Sequence, residues 1–210
     1  MPQDSIHALW VDPLAFEPTE NGAPYLPETF SIKVASDGGS VLTSLLLHMP
    51  EGSAAPELGA LVAVLRAAAL VHQSHHWQTR GPAYYADHLL FERLYNDSVG
   101  FIDQVAERAV GMGGEALVNP LLQVSLIPAL VSLWCRHAEP ATPETLALES
   151  LNVERCTIDC LDAVRLAMSA RGALSAGTDN LLQGVADKHE EFVYLLQQRG
   201  QAVYSYDSRL

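Results

Sequence analysis

Residues 75–114 read HHWQTRGPAYYADHLLFERLYNDSVGFIDQVAERAVGMGG, and the fold turns on how this stretch divides. Gly81 and Pro82 interrupt it early, and the glycines at 111, 113 and 114 stop it. Pro82 suits a first-turn position, so the pattern predicts a helix from about Pro82 to the Gly111–Gly114 stop, roughly 45 Å long at 1.5 Å per residue. With His88 set at 0° and about 100° per residue, Glu92 falls near 40°, Asp103 near 60° and Glu107 near 100°. All four share one face. His88 and Asp103 are nevertheless 15 residues apart, about 22 Å along the axis, too far for one metal ion to bridge. Two copies of the helix packed antiparallel about a two-fold axis would bring the His/Glu end of one against the Asp/Glu end of the other, creating two identical sites. His76, twelve residues before His88, adds a second imidazole. Two imidazoles and three carboxylates suit Fe(II), Mn(II) or Zn(II), with redox chemistry favouring iron. The competing reading of the same face is a row of solvated polar side chains.

Outward from this stretch, the chain reads as all-α. Leu58, Leu61, Val62, Leu65, Ala69 and His72 recur at spacings of three and four, which predicts an amphipathic helix from Pro56 to about Thr79. Glu115 to His137 is apolar and broken by prolines, which suits a long crossover containing a short helix. Thr142 and Pro143 form an N-cap and first-turn pair for a third helix running to about Ala170. Thr178 is expected to cap a fourth, with Leu181, Leu182, Val185, His189, Phe192, Leu195 and Leu196 on its apolar stripe and Gly200 at its end. Four long helices with one long crossover make a ferritin-like bundle over residues 57–200. Residues 1–56 hold seven of the twelve prolines and read as a largely irregular N-terminal arm, with a short strand around Phe30 to Ala35; residues 201–210 form a tail.

A balance of 12 Lys+Arg against 25 Asp+Glu gives a formal charge of −13, which repels nucleic acid and attracts cations. Both termini are poor in basic residues, so DNA binding through them is not expected. MPQDSIHALW lacks the marks of a targeting segment, and no apolar run suits a bilayer, so a cytoplasmic protein without a membrane partner is expected. Cys135, Cys156 and Cys160 read as reduced thiols, the last two as packing residues on one helix face. His72 and His75 read as core or surface residues. His7, Asp12 and Glu17 in the arm offer a weaker cation-binding alternative.

The motif His76-Trp77-Gln78, the Gly81-Pro82 break, His88 with Glu92, and Asp103 through Glu107-Arg108 resemble the core motif of the Dps family, the mini-ferritins that include DNA-binding proteins from starved cells. Glu92 stands where that family commonly has aspartate, Gln78 where it has asparagine, and Tyr194 where many members carry tryptophan. The ferritin and bacterioferritin arrangement would instead need Glu-x-x-His pairs, which neither His88 nor His189 provides. The resemblance implies a hollow shell, a dodecamer built from two-fold dimers. Its intersubunit ferroxidase sites would be formed by His76, His88, Glu92, Asp103 and Glu107. There Fe(II) would be oxidised by hydrogen peroxide, or more slowly by dioxygen, and stored as ferric oxide. Trp77 is read as a packing residue at the site's edge or as an electron donor that quenches oxidising intermediates, and Asp179 as a pore residue. The alternatives are a DNA-condensing member with secondary ferroxidase activity and a structural bundle without metal chemistry.

Overall fold

A computed structural model describes residues 37–135 and 141–206, with side chains to residue 200. Its elements are α1 (Gly38–Leu46), α2 (Pro56–Gln78), α3 (Tyr84–Gly113), a 3-10 turn (Glu115–Val118), α4 (Pro120–Trp134), α5 (Pro143–Ala170) and α6 (Ala176–Tyr206). No strand occurs among the described residues, and no described helix is long and apolar enough to cross a membrane. The strand expected near Phe30, the arm residues His7, Asp12 and Glu17, and the last four residues lie outside the described residues.

The four long helices form the expected ferritin-like bundle: α2 packs on α3 and α5, and α6 packs on α5 and α3. Phe91 and Leu94 of α3, Leu146 of α5, and Phe192 and Leu196 of α6 form a buried cluster between them, where each such side chain stabilises the fold by roughly 1.5–3 kcal/mol. Charged pairs pin the ends. Arg199 of α6 donates from Nε and Nη2 to buried Asp87 at the start of α3, at 2.8 and 3.0 Å. Arg171, just after α5, makes a similar fork to Glu57 at the start of α2.

Local chemistry explains most boundaries. Pro143 sits in the first turn of α5 behind Thr142, whose hydroxyl accepts the Thr145 N–H at 3.2 Å. Gly114 ends α3 with φ +89°, a conformation that glycine adopts without strain. The last helix departs from expectation at both ends. Ser175, not Thr178, takes the free N–H of Thr178, at 3.2 Å, and Thr178 is buried. Gly200 does not stop α6, which continues to Tyr206.

Two elements cover the bundle's outside. The crossover packs α4 against α2, fastened where buried Gln123 donates to the carbonyls of Gly59 and Leu117 at 3.1 and 2.8 Å. The sequence reading put residues 1–56 in an irregular arm, yet α1 is a helix capped by Asp37, with Val41, Leu42 and Leu45 buried. It packs against α5 and α2. Covered on so many sides, α2 is buried well beyond the single stripe its periodicity predicts. Cys156 and Cys160 are free and buried, as packing residues; the Cys160 thiol faces the Gly38 carbonyl at 3.6 Å.

Gly38 makes this crossing possible, because a Cβ there would lie 2.2 Å from the backbone carbonyl carbon of Asp159. Neither backbone can yield cheaply, so Gly38→Ala is expected to destabilise the protein by about 1–3 kcal/mol. Gly184→Ala, where a Cβ meets nothing within 4 Å in mid-α6, should instead raise stability by up to about 1 kcal/mol. Urea unfolding midpoints of the two variants should move in opposite directions from the parent's.

Candidate metal centre

The turn between α2 and α3 brings His76 and His88 face to face, with ring centroids 3.7 Å apart and planes 24° from parallel. Each ring is tied to the other residue's backbone: His76 Nδ1 to the His88 carbonyl at 2.9 Å, and His88 Nδ1 to the His76 carbonyl at 3.1 Å. A carbonyl only accepts, so each Nδ1 carries a hydrogen, and Nε2 is the nitrogen whose lone pair a metal could take. Metal-binding histidines are commonly held in this way, with the distal N–H engaged by a carbonyl or carboxylate. Tyr84 stacks on His88 at 5.0 Å and Tyr95 meets His76 edge-on at 5.4 Å, which fixes both rings further. Trp77 is 68% exposed in the single chain.

Glu92, Asp103 and Glu107 lie on the same uninterrupted helix, α3. Glu92 follows His88 by one turn, whereas Asp103 and Glu107 are exposed at the far end. Among the described residues, His76, His88 and Glu92 are not by themselves a group at mutual ligand distance, so the predicted five-residue set is divided between the two ends of α3. The buried residues of α3, including Asp87, Phe91, Leu94, Ser98 and Val105, cluster roughly 150° around the helix from the four predicted ligands. Exposed apolar side chains share the ligand face: Tyr85, Leu89 and Val99 are 72%, 43% and 56% exposed and fall at about 60°, 100° and 20°. A face that mixes ligand types with large exposed apolar groups has the character of a surface covered by a partner.

Sequence reasoning missed a second constellation. Glu154 of α5 is fully buried between His72 of α2 and His189 of α6, which lie 2.5 Å from its two carboxylate oxygens. Burial by itself would raise the Glu154 pKa, but the charge and hydrogen bonds of His189, together with those of His72, outweigh it and bring the value down to about 2. The signal was present in outline, as His72 and His189 both fall on apolar stripes where an imidazole needs a buried polar partner. Ser150 extends the network, its hydroxyl lying 3.1 Å from His72 Nδ1 and 2.8 Å from His75 Nδ1. Beyond it, His75, Cys135 and Glu149 are the one group of potential ligands, among the described residues, whose donor atoms all lie within 4.8 Å of one another. Burial, reinforced by His72, brings the His75 imidazole down to about 3, while burial and then the Glu149 charge push the Cys135 thiol up to about 11.

No protein-family profile matches the chain. It is 26% identical over 124 residues to DNA protection during starvation protein 2 of Bacillus anthracis, covering 58% of this chain and 79% of that protein. It is 28% identical over 123 residues to the DNA protection during starvation protein of Brevibacillus brevis, covering 58% and 77%. Among solved structures, Dps from Thermosynechococcus elongatus superposes with a TM-score of 0.59 at 19% identity, covering 76% of this chain and 92% of that one. The architecture is thus that of the ferritin-like bundles. The chain is similar to Dps proteins in sequence, over 58% of its length, as well as in fold.

The buried clamp has a pH signature. Because the folded pKa of Glu154 lies below its ordinary 4.5, its contribution is complete above about pH 4.5 and is lost as pH falls towards 2. It amounts to on the order of 3 kcal/mol. Unfolding midpoints measured between pH 5 and 2 should fall more steeply for the parent than for Glu154→Gln, which has no carboxylate to protonate there.

Proposed function

We propose that this chain is the subunit of an iron-oxidising mini-ferritin, in which Fe(II) is bound and oxidised between subunits paired across α3. The observation that carries the reading is the reciprocal locking of His76 and His88 through Nδ1, which leaves Nε2 of both imidazoles available at one end of a helix whose other end carries two exposed carboxylates. Antiparallel pairing would complete each half with the other's, covering Tyr85, Leu89 and Val99 as it does so. His76, His88 and Glu92 of one subunit then face Asp103 and Glu107 of its neighbour. Trp77, one residue from His76 and exposed in the single chain, lies where it could pack at the edge of such a site and donate an electron to it.

The donor chemistry suits the task. Imidazole nitrogens fix the position of Fe(II), and anionic oxygens stabilise Fe(III) more than Fe(II), which favours oxidation at the site. Two Fe(II) ions give one electron each to hydrogen peroxide, which takes up two protons and leaves as water. The ferric product would pass to the interior of a closed shell, most simply a dodecamer of two-fold dimers, and the net charge of −13 favours the drift of Fe(II) inward. The same charge opposes condensation of DNA as the main role, although the curated relatives carry DNA protection in their names.

Removing an outer-sphere partner of a metal ligand typically costs 10–100-fold. Asp103→Ala/Glu107→Ala should therefore slow initial Fe(II) oxidation by more than about tenfold, and a rate equal to the parent's defeats the proposal. Complementation tests the division between subunits. When the inactive His88→Ala/Glu92→Ala variant is dissociated and reassembled 1:1 with Asp103→Ala/Glu107→Ala, half the dimers are mixed, and each mixed dimer holds one intact site. About a quarter of the parent's activity should return, whereas a site contained in one chain regains none.

A further inference from the structure

At the end of α4 the crossover comes down beside the bundle, and three potential ligands from three different elements converge there: His75 from α2, Cys135 just after α4, and Glu149 from α5. We propose that these residues form a binding site for a borderline-soft divalent cation, with zinc as the natural occupant. This site is distinct from the proposed iron centre and does not depend on that reading.

Geometry carries the assignment. Donors about 2.1 Å from a tetrahedral zinc ion lie about 3.4 Å from one another. His75 Nε2 and Glu149 Oε2 are 3.4 Å apart, beyond the roughly 2.7–3.2 Å of a good N–H···O hydrogen bond. That separation equals the spacing of two donors on one tetrahedral ion. All three donor atoms lie within 4.8 Å of one another, so a movement of about an ångström at the sulfur brings the set to ligand distances. Nitrogen, sulfur and oxygen together make a donor set for zinc or cobalt rather than for magnesium or calcium.

The surroundings support the first shell. Ser150 engages His75 through Nδ1 at 2.8 Å, turning Nε2 towards Glu149, and Ser150 is in turn 3.1 Å from His72, which is anchored on Glu154. The imidazole is thus held by a relay that ends in a fully buried carboxylate, the type of outer-sphere support that sets ring orientation at metal sites. The three residues line a cavity of about 280 Å³, whose other polar lining residues are Ser74 and Gln78. It leaves the fourth coordination position open to water or an added ligand. Three protein ligands with one exchangeable position describe a site that also clips the end of the crossover to α2 and α5.

The test uses the full-length, metal-stripped protein and Co(II) as a spectroscopic stand-in for zinc. The parent is expected to develop tetrahedral d–d bands with a thiolate-to-cobalt charge-transfer band, both abolished by about one equivalent of Zn(II) per chain. Cys135→Ser should lose the charge-transfer band, and Glu149→Gln should keep it while binding Zn(II) at least about tenfold more weakly. Asp103→Ala/Glu107→Ala and Cys156→Ala/Cys160→Ala should both retain the band, which separates this site from the iron centre and from the other thiols. A parent without the charge-transfer band, a band that survives in Cys135→Ser, or unchanged zinc affinity in Glu149→Gln would each overturn the assignment.

Discussion

A carboxylate with no exposure at the centre of a helical bundle must be neutralised or the fold does not form, and the interior of this protein is organised around that requirement. Breaking a buried ion pair by removing one partner typically costs about 3–5 kcal/mol. His72 reaches Glu154 from α2 and His189 reaches it from α6, so a slip of either helix by one turn would strand the charge. Apolar packing alone tolerates such slips far better than a directional contact does. Three of the four bundle helices are thereby set in register. The fourth, α3, is keyed to the same frame by the fork from Arg199 of α6 to Asp87. Asp87 immediately precedes His88, so the register that begins at Glu154 is passed to the first turn of the proposed iron centre.

Much of this was readable from the residues. Stripes at three- and four-residue spacing and the Gly81-Pro82 and Gly111–Gly114 breaks place the bundle helices within a few positions of those observed, because local capping and backbone geometry dominate there. The helix at Gly38–Leu46 was not anticipated. It is short, lies in a proline-rich stretch, and owes its place to a close crossing over α5 that depends on the absence of a Cβ at Gly38. The overrun of α6 past Gly200 has the same lesson: an isolated glycine costs a helix about 1 kcal/mol, and a long packed helix absorbs it.

Legibility of the site was uneven for a different reason. Candidate ligands on one element, such as His88, Glu92, Asp103 and Glu107, are related by a fixed helical period and can be proposed from spacing alone. The clamp joins Glu154 to residues 35 and 82 positions away, and the second group joins His75 to Cys135 and Glu149, 60 and 74 positions further on. No periodicity links such residues, and only the packing of one helix on another brings them together. Sequence gave one usable hint, a histidine on each of two apolar stripes. It did not point to Glu154, whose partners become evident only in three dimensions.

The mutual hydrogen bonds of His76 and His88 span the turn that joins α2 to α3. An ion taken up by either ring therefore binds to the closed end of a helical hairpin, in a form that exists only when both arms are folded. By mass action, whatever occupies those nitrogens favours the closed hairpin over every opened form. On the proposed function, loading and mechanical stiffness at that corner are two readings of one equilibrium, and a subunit carrying Fe(II) would also be the one whose α3 face is held most nearly in shape.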